Sequence, residues 1–333
     1  MYQMRPMRLI TFKTQAQESS AIGCLVHADQ AVLDISRTFA GESSFQAMQA
    51  LIEAGPTQWD RVREACARAG EDRAHLVPRS EAILLAPVPQ PLQMRDFGCF
   101  SEHFYNCVDT RLRQKAANAQ DPEAAYRAMV AAGKRQLPHD YYERPRFYTC
   151  NRLSVVGDGV EVPWPHITSQ LDFELEFGIF IGTPAKDVSE ERAASHIFGY
   201  TIFNDLTMRD VQQAEERTGG KNKDFDCGNV MGPCIVTPDE VGNPYALRAI
   251  ARVNGEVWCD NNTRTMDRSF EQVIAYMSQA QTLHPGEFFA SGTVGTGCGL
   301  ERDRYLNPGD VIELEVERIG TLRTTIGPKP RRA

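Results

Sequence analysis

The chain has 333 residues, of which 42% are hydrophobic and 24% are charged, close to the values of an average globular protein. This composition excludes a disordered chain and a collagen-like repeat, and the sequence contains no run of about 18 apolar residues that would predict a membrane-spanning helix. The net charge of −8 argues against nucleic acid as a partner, because neutralising phosphates requires clustered cations.

Cysteine usage and the first residues of the chain indicate a compartment. Nine cysteines are scattered without CxxC pairs, which is typical of free thiols in a reducing environment. Residues 1–12 alternate arginine with short apolar pieces and lack the sustained apolar stretch of a secretory signal. The sequence therefore predicts a cytoplasmic protein.

The first part of the chain predicts a small α/β unit. The predicted strands cover residues 9–12, 22–26 and 31–35, and the predicted helices, separated by Pro56, cover residues 45–52 and 59–68. Pro87, Pro89 and Pro91 follow, and three prolines so close together fit neither a helix nor a central strand. We therefore expect a small N-terminal α/β domain over residues 1–86 and a second domain over residues 92–330.

Beyond this boundary, local signals predict four further elements. In chain order they are Asp121-Pro122 at the start of a helix that Gly133 ends, Asn254-Gly255 in a hairpin turn, a capping box from Ser269 to Gln272, and alternating apolar and acidic residues in a strand over residues 311–317. Strands and helices are mixed without a regular βαβ rhythm, so the sequence predicts an α+β fold rich in antiparallel strands.

The most informative segment covers residues 171–181. As a strand it places Asp172, Glu174 and Glu176 on one face and apolar side chains on the other. Beyond Glu176 both faces become apolar, so these carboxylates lead into a buried strand without a lysine or arginine nearby in sequence. A hard divalent cation would neutralise them. A solvated strand face, as at residues 311–317, is the alternative, and the pattern alone does not separate the two.

A second acidic position strengthens the metal hypothesis. Asp205 follows an apolar run over residues 197–203, and a polar, helical run continues through Arg209 to Gln213. An acid at the exit of a buried strand is well placed as a further ligand, although Asp205 taken alone would more commonly cap the next helix.

Eight segments, taken together, resemble one known family. The resemblance covers about residues 92–327, and the segments occur in the same order as in the family. They are residues 171–176 (LDFELE), 199–205 (GYTIFND), 209–213 (RDVQQ), 223–225 (KDF), 232–233 (GP), 291–293 (SGT), 297–301 (GCGLE) and 308–310 (PGD). On these motifs the chain is identified as a member of the fumarylacetoacetate hydrolase family.

The resemblance implies a fold and a metal site. The fold would be a mixed β-sandwich roll with a smaller N-terminal α/β domain, in a homodimer. Glu174, Glu176 and Asp205 would bind Mg²⁺, with Mn²⁺ or Ca²⁺ as the other candidates. In the family's hydrolases an aspartate seven residues before the catalytic histidine is a fourth ligand, and Asp96 and His103 match that spacing.

The resemblance also implies catalytic and substrate-binding residues. His103 would be a general base, with Glu301 as the carboxylate that orients it. Lys223 would stabilise negative charge that develops on the substrate. The residues expected to contact the substrate are Arg209, Gln212, Thr293 and Tyr148. The segment over residues 104–147 is a candidate lid.

These residues predict a divalent-metal-dependent hydrolase that cleaves a C–C bond in an acylpyruvate or β-diketone, such as fumarylacetoacetate or fumarylpyruvate, in aromatic catabolism. The alternative is an isomerase, decarboxylase or hydratase that acts on a 2-oxo acid with the same metal site. His103, Glu301 and Asp96 favour hydrolysis. A non-catalytic binding protein would be expected to lack one of the site residues, and none is missing. The expected partner is this small molecule, not nucleic acid or a membrane.

Three residues also have the spacing of a site for a soft metal ion. Cys99, His103 and Cys107 recur every four residues, which on a helix would align soft ligands for zinc. Only three ligands are present, and Gly98 disfavours a helix that begins there, so the sequence does not favour this site.

Overall fold

A computed structural model describes residues 7–16, 19–69, 73–216 and 219–330. The strands are β1 Arg8–Lys13, β2 Ala21–Val26, β3 Ala31–Asp34, β4 Leu76–Pro78, β5 Ile83–Leu84, β6 Met94–Phe97, β7 Phe147–Thr149, β8 Val155–Val156, β9 Val160–Val162, β10 Leu171–Asp172, β11 Leu175–Ile181, β12 Ile197–Asp205, β13 Thr207–Met208, β14 Asn229–Val236, β15 Arg248–Val253, β16 Glu256–Asn262, β17 Phe288–Ala290, β18 Val311–Val316 and β19 Gly320–Ile326.

Helices connect these strands. The α-helices are α1 Ile35–Thr38, α2 Met48–Ala54, α3 Pro56–Arg68, α4 Ser101–Ala116, α5 Pro122–Ala131, α6 Glu190–Ala193, α7 Arg209–Glu215, α8 Pro238–Val241 and α9 Phe270–Met277. Short 3₁₀ helices cover Ser43–Phe45, Arg79–Glu81, Ala194–His196, Thr263–Thr265 and Leu300–Arg302. None of the helices in the described part of the chain is long and apolar enough to cross a lipid bilayer.

The described strands form two large sheets and one small one. The largest has the order β4-β3-β2-β1-β14-β12-β11-β17-β6-β7, with β5 beside β1 and β8 beside β14. The second has the order β16-β15-β18-β19-β9, and β10 pairs with β13. β12 and β14 contact β18 and β19, so the two large sheets pack on each other around a common apolar core. The predicted α+β class with mixed sheets is confirmed.

Strands from both sides of the proline-rich segment share the largest sheet. Leu9 of β1 lies opposite Ile235 of β14, in an antiparallel pair. The division into domains over residues 1–86 and 92–330 stays a prediction. Residues 1–6, where the expected N-terminal domain begins, lie outside the described residues.

Several local predictions agree with the elements. Asn254 and Gly255 have φ values of 52° and 81° and join β15 to β16, because a tight hairpin turn of this kind needs positive φ at both central positions. Ser269 caps α9 in a capping box with Gln272, and Asp121 accepts a hydrogen bond from the backbone N–H of Ala124 at the start of α5.

The prediction of one continuous strand over residues 171–181 was wrong, because the structure has two strands there with a break between them. Asp172 ends β10, Leu175 begins β11, and Phe173 and Glu174 lie between them. β10 pairs with β13, whereas Glu174 forms an isolated bridge to Cys298. This break changes the surroundings of Asp172 and Glu174 from those of a regular strand face.

Candidate functional site

Three carboxylates from three strands of the largest sheet converge on one point. Asp96 belongs to β6, Glu176 to β11 and Asp205 to the end of β12, and all three side chains are buried. One oxygen from each lies within 4.8 Å of the others. The structure thus brings together three of the four predicted metal ligands, two of which lie far from the 171–181 segment in sequence.

This acidic cluster fits a hard divalent cation. Among the described residues, Oδ1 of Asp96 and Oδ1 of Asp205 are buried without a hydrogen-bond partner. Burial, and then the charge of Asp205, raises the pKa of Asp96 to about 8. Burial also raises the pKa of Asp205 to about 6, and that of Glu176 rises well above its ordinary value because of burial and the charges of Asp96 and Asp205. Clustered anionic oxygens of this kind are the ligands that Mg²⁺, Mn²⁺ and Ca²⁺ prefer.

Glu174, the fourth predicted ligand, is paired with two cations, and its role as a metal ligand stays a prediction. Its Oε1 accepts a hydrogen bond from Nη2 of Arg209 at 2.7 Å, and its Oε2 accepts one from Nζ of Lys223 at 2.5 Å. Burial alone would raise the pKa of Glu174, but Lys223 and Arg209 outweigh burial and hold it below its ordinary value. Glu174 is therefore an ionised, fully paired carboxylate at the border of the acidic cluster.

Lys223 lies between two of the predicted ligands. In addition to Glu174, its Nζ donates to Oδ2 of Asp205 and, at 2.6 Å, to Oγ1 of Thr207. Burial would lower the pKa of Lys223, but Asp205 and Glu174 outweigh it, so the ammonium stays charged. Lys223 supplies fixed positive charge beside the acidic cluster.

Arg209 joins the site to a fifth buried acid, which the acidic strand pattern included but the predicted ligand set did not. Its Nε donates to Oδ2 of Asp172 at 2.8 Å, and the backbone N–H groups of Gly299 and Leu300 donate to the same carboxylate at 2.8 and 2.9 Å. Asp172 thereby fixes the turn that leads to Glu301. The acidic alternation of residues 172–176 contained the signal, but it did not distinguish this structural role from metal binding.

A loop after β17 holds Glu176 in place. The backbone N–H of Gly292 donates to Oε2 of Glu176 at 3.2 Å, and Oγ1 of Thr293 donates to its Oε1 at 3.3 Å. Gly292 has φ +79°, and a Cβ at this position would lie 2.0 Å from the carbonyl oxygen of Phe97. Only glycine allows the loop to approach this closely. The substrate contact predicted for Thr293 stays a prediction.

His103 and Glu301 form the predicted pair. His103 lies in the first turn of α4, with Nδ1 2.9 Å from Oε1 of Glu301 and Nε2 3.9 Å from Oε1 of Glu174. If Nδ1 carries the proton and donates it to Glu301, the lone pair of Nε2 is unprotonated and lies near Glu174 and near Sγ of Cys107, at 3.7 Å. Burial disfavours a charged ring, but Glu301 outweighs it and raises the pKa of His103 well above its ordinary value.

Two groups that sequence reasoning missed orient Glu301. Nδ2 of Asn106 donates to its Oε2 at 2.8 Å, and the backbone N–H of Thr296 donates to the same oxygen at 2.6 Å. Asn106 lies one turn after His103 on α4, so the helix face that carries His103 also carries a second donor to Glu301. That spacing was visible in the sequence, but the position of Glu301 beside α4 was not.

A cavity of about 720 Å³ opens onto these groups. Its walls include predicted site residues from every part of the site, namely Asp96, His103, Tyr148, Glu174, Glu176, Arg209, Gln212 and Thr293. Tyr148 also donates through its hydroxyl to Oδ2 of Asp205. α4 forms part of the wall through residues such as Arg111 and Lys115, so the candidate lid over residues 104–147 borders the cavity.

The zinc arrangement considered from the sequence differs from the one in the structure. Cys99 precedes α4, whereas His103 and Cys107 lie one turn apart on it. The thiol that joins them is Cys298, and ligand atoms of His103, Cys107 and Cys298 lie within 4.8 Å of one another.

Comparison with known proteins assigns the family. Residues 116–327 match the family described as fumarylacetoacetate (FAA) hydrolase, C-terminal. The chain belongs to this family. An uncharacterized protein from Staphylococcus aureus (strain USA300) is 29% identical over 331 residues, which cover 96% of this chain and 99% of that protein.

Solved structures share the fold over nearly the whole chain. A fumarylacetoacetate hydrolase from the psychrophilic Exiguobacterium antarcticum has a TM-score of 0.71 at 26% identity, covering 97% of this chain and 99% of its own. A 2-hydroxyhepta-2,4-diene-1,7-dioate isomerase from Mycobacterium marinum has a TM-score of 0.66 at 23% identity, covering 98% and 100%. A maleylpyruvate hydrolase from Sphingobium sp. SYK-6 has a TM-score of 0.70 at 20% identity, covering 97% and 100%. The last two similarities concern the fold alone.

Proposed function

We propose that this chain is a divalent-metal-dependent hydrolase that cleaves a C–C bond in an acylpyruvate or a β-diketone, compounds like fumarylacetoacetate or fumarylpyruvate. The observation that carries the proposal is the juxtaposition of the His103–Glu301 pair with the cluster of Asp96, Glu176 and Asp205, since His103, Asp96 and Glu176 line one cavity. A base that faces a cation site is the arrangement that metal-assisted hydrolysis needs.

Asp96, Glu176 and Asp205 would hold the cation, with Mg²⁺ as the expected ion and Mn²⁺ or Ca²⁺ as the other candidates. Once bound, the cation would supply Lewis-acid polarisation of a substrate carbonyl. Tyr148 supports the site by donating to Asp205, and Thr293 and Gly292 hold Glu176 in position.

His103 would act as the base. Its Nε2 takes a proton from a water molecule, and the resulting hydroxide adds to the substrate carbonyl. Glu301 stabilises the imidazolium that forms, because its carboxylate accepts the Nδ1–H. The tetrahedral adduct then collapses and the C–C bond breaks. His103 returns its proton to the departing carbon, so the products are a ketone and a carboxylic acid, which releases its proton to solvent.

Two cations contribute charge in this scheme. Arg209 lines the cavity beside Gln212, which is consistent with a contact to substrate oxygens, while two of its donors hold Asp172 and Glu174. Lys223 is engaged with Glu174 and Asp205, so we assign it to positioning these carboxylates and to offsetting negative charge. The cavity volume of about 720 Å³ suits a small molecule.

An isomerase, decarboxylase or hydratase acting on a 2-oxo acid is the alternative, because Nε2 of His103 could also move a proton on an enol. The number of products separates the two. Hydrolysis of an acylpyruvate gives two fragments, whereas isomerisation gives one product of unchanged mass.

The test uses a panel of acylpyruvates and β-diketones as substrates. Loss of enol absorbance measures the rate, and mass spectrometry identifies the products. We expect two fragments, loss of activity with a chelator, recovery with Mg²⁺, and at least about 100-fold loss in His103→Ala. His166→Ala, an exposed histidine outside the cavity, is the matched control. Activity that survives both chelation and His103→Ala would contradict the proposal. A place in aromatic catabolism and a homodimer stay predictions.

A further inference from the structure

The catalytic histidine is bordered by two thiols that the proposed reaction does not use. Cys107 lies one turn after His103 on α4, with its Sγ 3.8 Å from Nδ1 and 3.7 Å from Nε2. Cys298 lies on the turn before the 3₁₀ helix Leu300–Arg302, with its Sγ 4.0 Å from the same nitrogen. Both cysteines are free, and α4 packs directly against this 3₁₀ helix.

Glu301 offers a fourth donor beside two members of the group, His103 and Cys298. Oε1 of Glu301 lies 2.9 Å from Nδ1 of His103 and accepts a hydrogen bond from Sγ of Cys298 at 3.5 Å. The four side chains come as two pairs, His103 with Cys107 on one element and Cys298 with Glu301 on the other. Two short-range pairs on facing elements are a common way to build a four-coordinate site.

The distances suit a tetrahedral zinc ion. With Zn–S of about 2.3 Å and Zn–N of about 2.05 Å, tetrahedral ligands lie about 3.6 Å apart for an N···S pair. The N···S distances of 3.8 and 4.0 Å in the structure exceed this value by less than half an ångström. Binding by all four side chains requires Cys107 to rotate from its position between the two ring nitrogens, and Cys107 is half-buried and lines the cavity.

We propose that His103, Cys107, Cys298 and Glu301 form a second metal site, selective for soft divalent ions such as Zn²⁺, whose occupation inhibits the enzyme. Thiolate and imidazole ligands favour Zn²⁺, whereas the all-oxygen cluster of Asp96, Glu176 and Asp205 favours Mg²⁺, Mn²⁺ or Ca²⁺. The two neighbouring sites therefore differ in the ions that they select.

Zn²⁺ binding inhibits the enzyme because it changes which nitrogen of His103 carries the proton. When Zn²⁺ binds, each thiol releases its proton to solvent, Nδ1 of His103 becomes a ligand, and the neutral ring keeps one proton, which then lies on Nε2. A protonated Nε2 cannot accept a proton from water, and Glu301 is no longer free to stabilise an imidazolium. This inhibitory effect rests on the proposed hydrolase function, whereas metal binding by the four side chains does not.

The binding test uses Co²⁺ as the probe, with the full chain in excess Mg²⁺ and a thiol-free reductant. We expect one equivalent of Co²⁺ to produce thiolate-to-cobalt charge-transfer absorption, which oxygen ligands do not produce, and Zn²⁺ to abolish it. Cys107→Ser and Cys298→Ser should each weaken binding at least tenfold. Cys99→Ser, which removes a neighbouring buried thiol, and Cys227→Ser, which removes a half-buried thiol elsewhere, should not.

A second measurement needs no variant. Zn²⁺ should slow alkylation of Cys107 in the wild-type protein, read by peptide mass spectrometry, and should leave the half-buried Cys227 unaffected. Absence of the absorption band in the wild type, an unchanged band in both serine variants, or equal alkylation rates would overturn the site. If the band and the protection are present but no substrate is hydrolysed, the proposed function fails and the metal site stands. If Mg²⁺-dependent hydrolysis is present without the band, the metal site fails alone.

Discussion

Nδ1 of His103 lies 2.9 Å from Oε1 of Glu301, although 198 positions separate the two residues in the chain. α4 carries the imidazole and a turn fixed by Asp172 carries the carboxylate, so two elements that are remote in sequence define one acid–base pair. The orientation of the ring is set from the Glu301 side, and this leaves Nε2 for chemistry in the cavity.

Replacing Glu301 tests this pair. Glu301→Gln keeps the size of the side chain but removes the charge that raises the pKa of His103. We expect kcat to fall about 100- to 10,000-fold. Since the base must be neutral, activity rises with pH through the pKa of His103, and this acid limb should move to lower pH in the variant. A pH profile of kcat/KM measures both effects.

Glu102→Gln is the matched control, because Glu102 is adjacent to His103 in sequence and instead contacts Asn261. Equal losses in the two variants, or an unmoved acid limb in Glu301→Gln, would argue against the pair.

Glu176 and Glu174 are expected to contribute unequally to metal affinity. Glu176 accepts hydrogen bonds from the uncharged groups of Gly292 and Thr293, whereas Glu174 is paired with the cations Arg209 and Lys223. Glu176→Gln should therefore weaken Mn²⁺ binding by at least about 100-fold and Glu174→Gln by about tenfold or less. Titration calorimetry with the metal-free protein measures both. A larger loss in Glu174→Gln would show that Glu174 exchanges its cationic partners for the metal.

The stability of the metal-free protein should fall as the pH rises. Burial raises the pKa of Asp96 to about 8 and that of Asp205 to about 6 in the folded state, whereas an unfolded aspartate has a pKa of about 4. Between about pH 4 and these folded-state pKa values, the folded protein therefore binds more protons than the unfolded protein. The stabilising contribution of the two residues to the free energy of unfolding is present at low pH and is lost as the pH rises through their folded-state pKa values. For Asp96 the loss approaches about 1.4 kcal/mol per pH unit below pH 8.

Thermal unfolding from pH 6 to 9 in a chelator measures this slope, and saturating Mn²⁺ should remove it by neutralising the cluster. Asp96→Asn, which cannot ionise, should flatten the chelator curve. A slope that neither the metal nor this variant changes would place its origin elsewhere.

Arg209 is expected to be essential for stability. Arg209 is 1% exposed, and its guanidinium bonds to both Asp172 and Glu174. Arg209→Met leaves two buried carboxylates without this partner, and we expect the free energy of unfolding to fall by about 3–5 kcal/mol. Denaturant unfolding measures the loss. Arg111→Met, on the cavity wall but bonded to Gln114 and Gln213, should cost much less. Similar losses would mean that Asp172 and Glu174 find other partners.

Local signals in the sequence predicted elements well. The Asn254-Gly255 turn and the Ser269 capping box act within a few residues, so they needed no knowledge of the rest of the fold. The acidic alternation of residues 172–176 was less reliable. Its three carboxylates have different environments, because Asp172 and Glu174 flank a break between two strands while Glu176 lies within β11.

The sequence by itself determined the secondary-structure pattern, the family motifs and which residues could hold a cation. Only the tertiary structure decided how the acids are neutralised. No lysine or arginine lies near Glu174 in sequence, yet Arg209 and Lys223, 35 and 49 positions away, bond to it, while Asp96 joins Glu176 and Asp205 through strand order. Charge pairing in a buried site depends on distances of a few ångströms, and strand pairing between remote segments sets those distances.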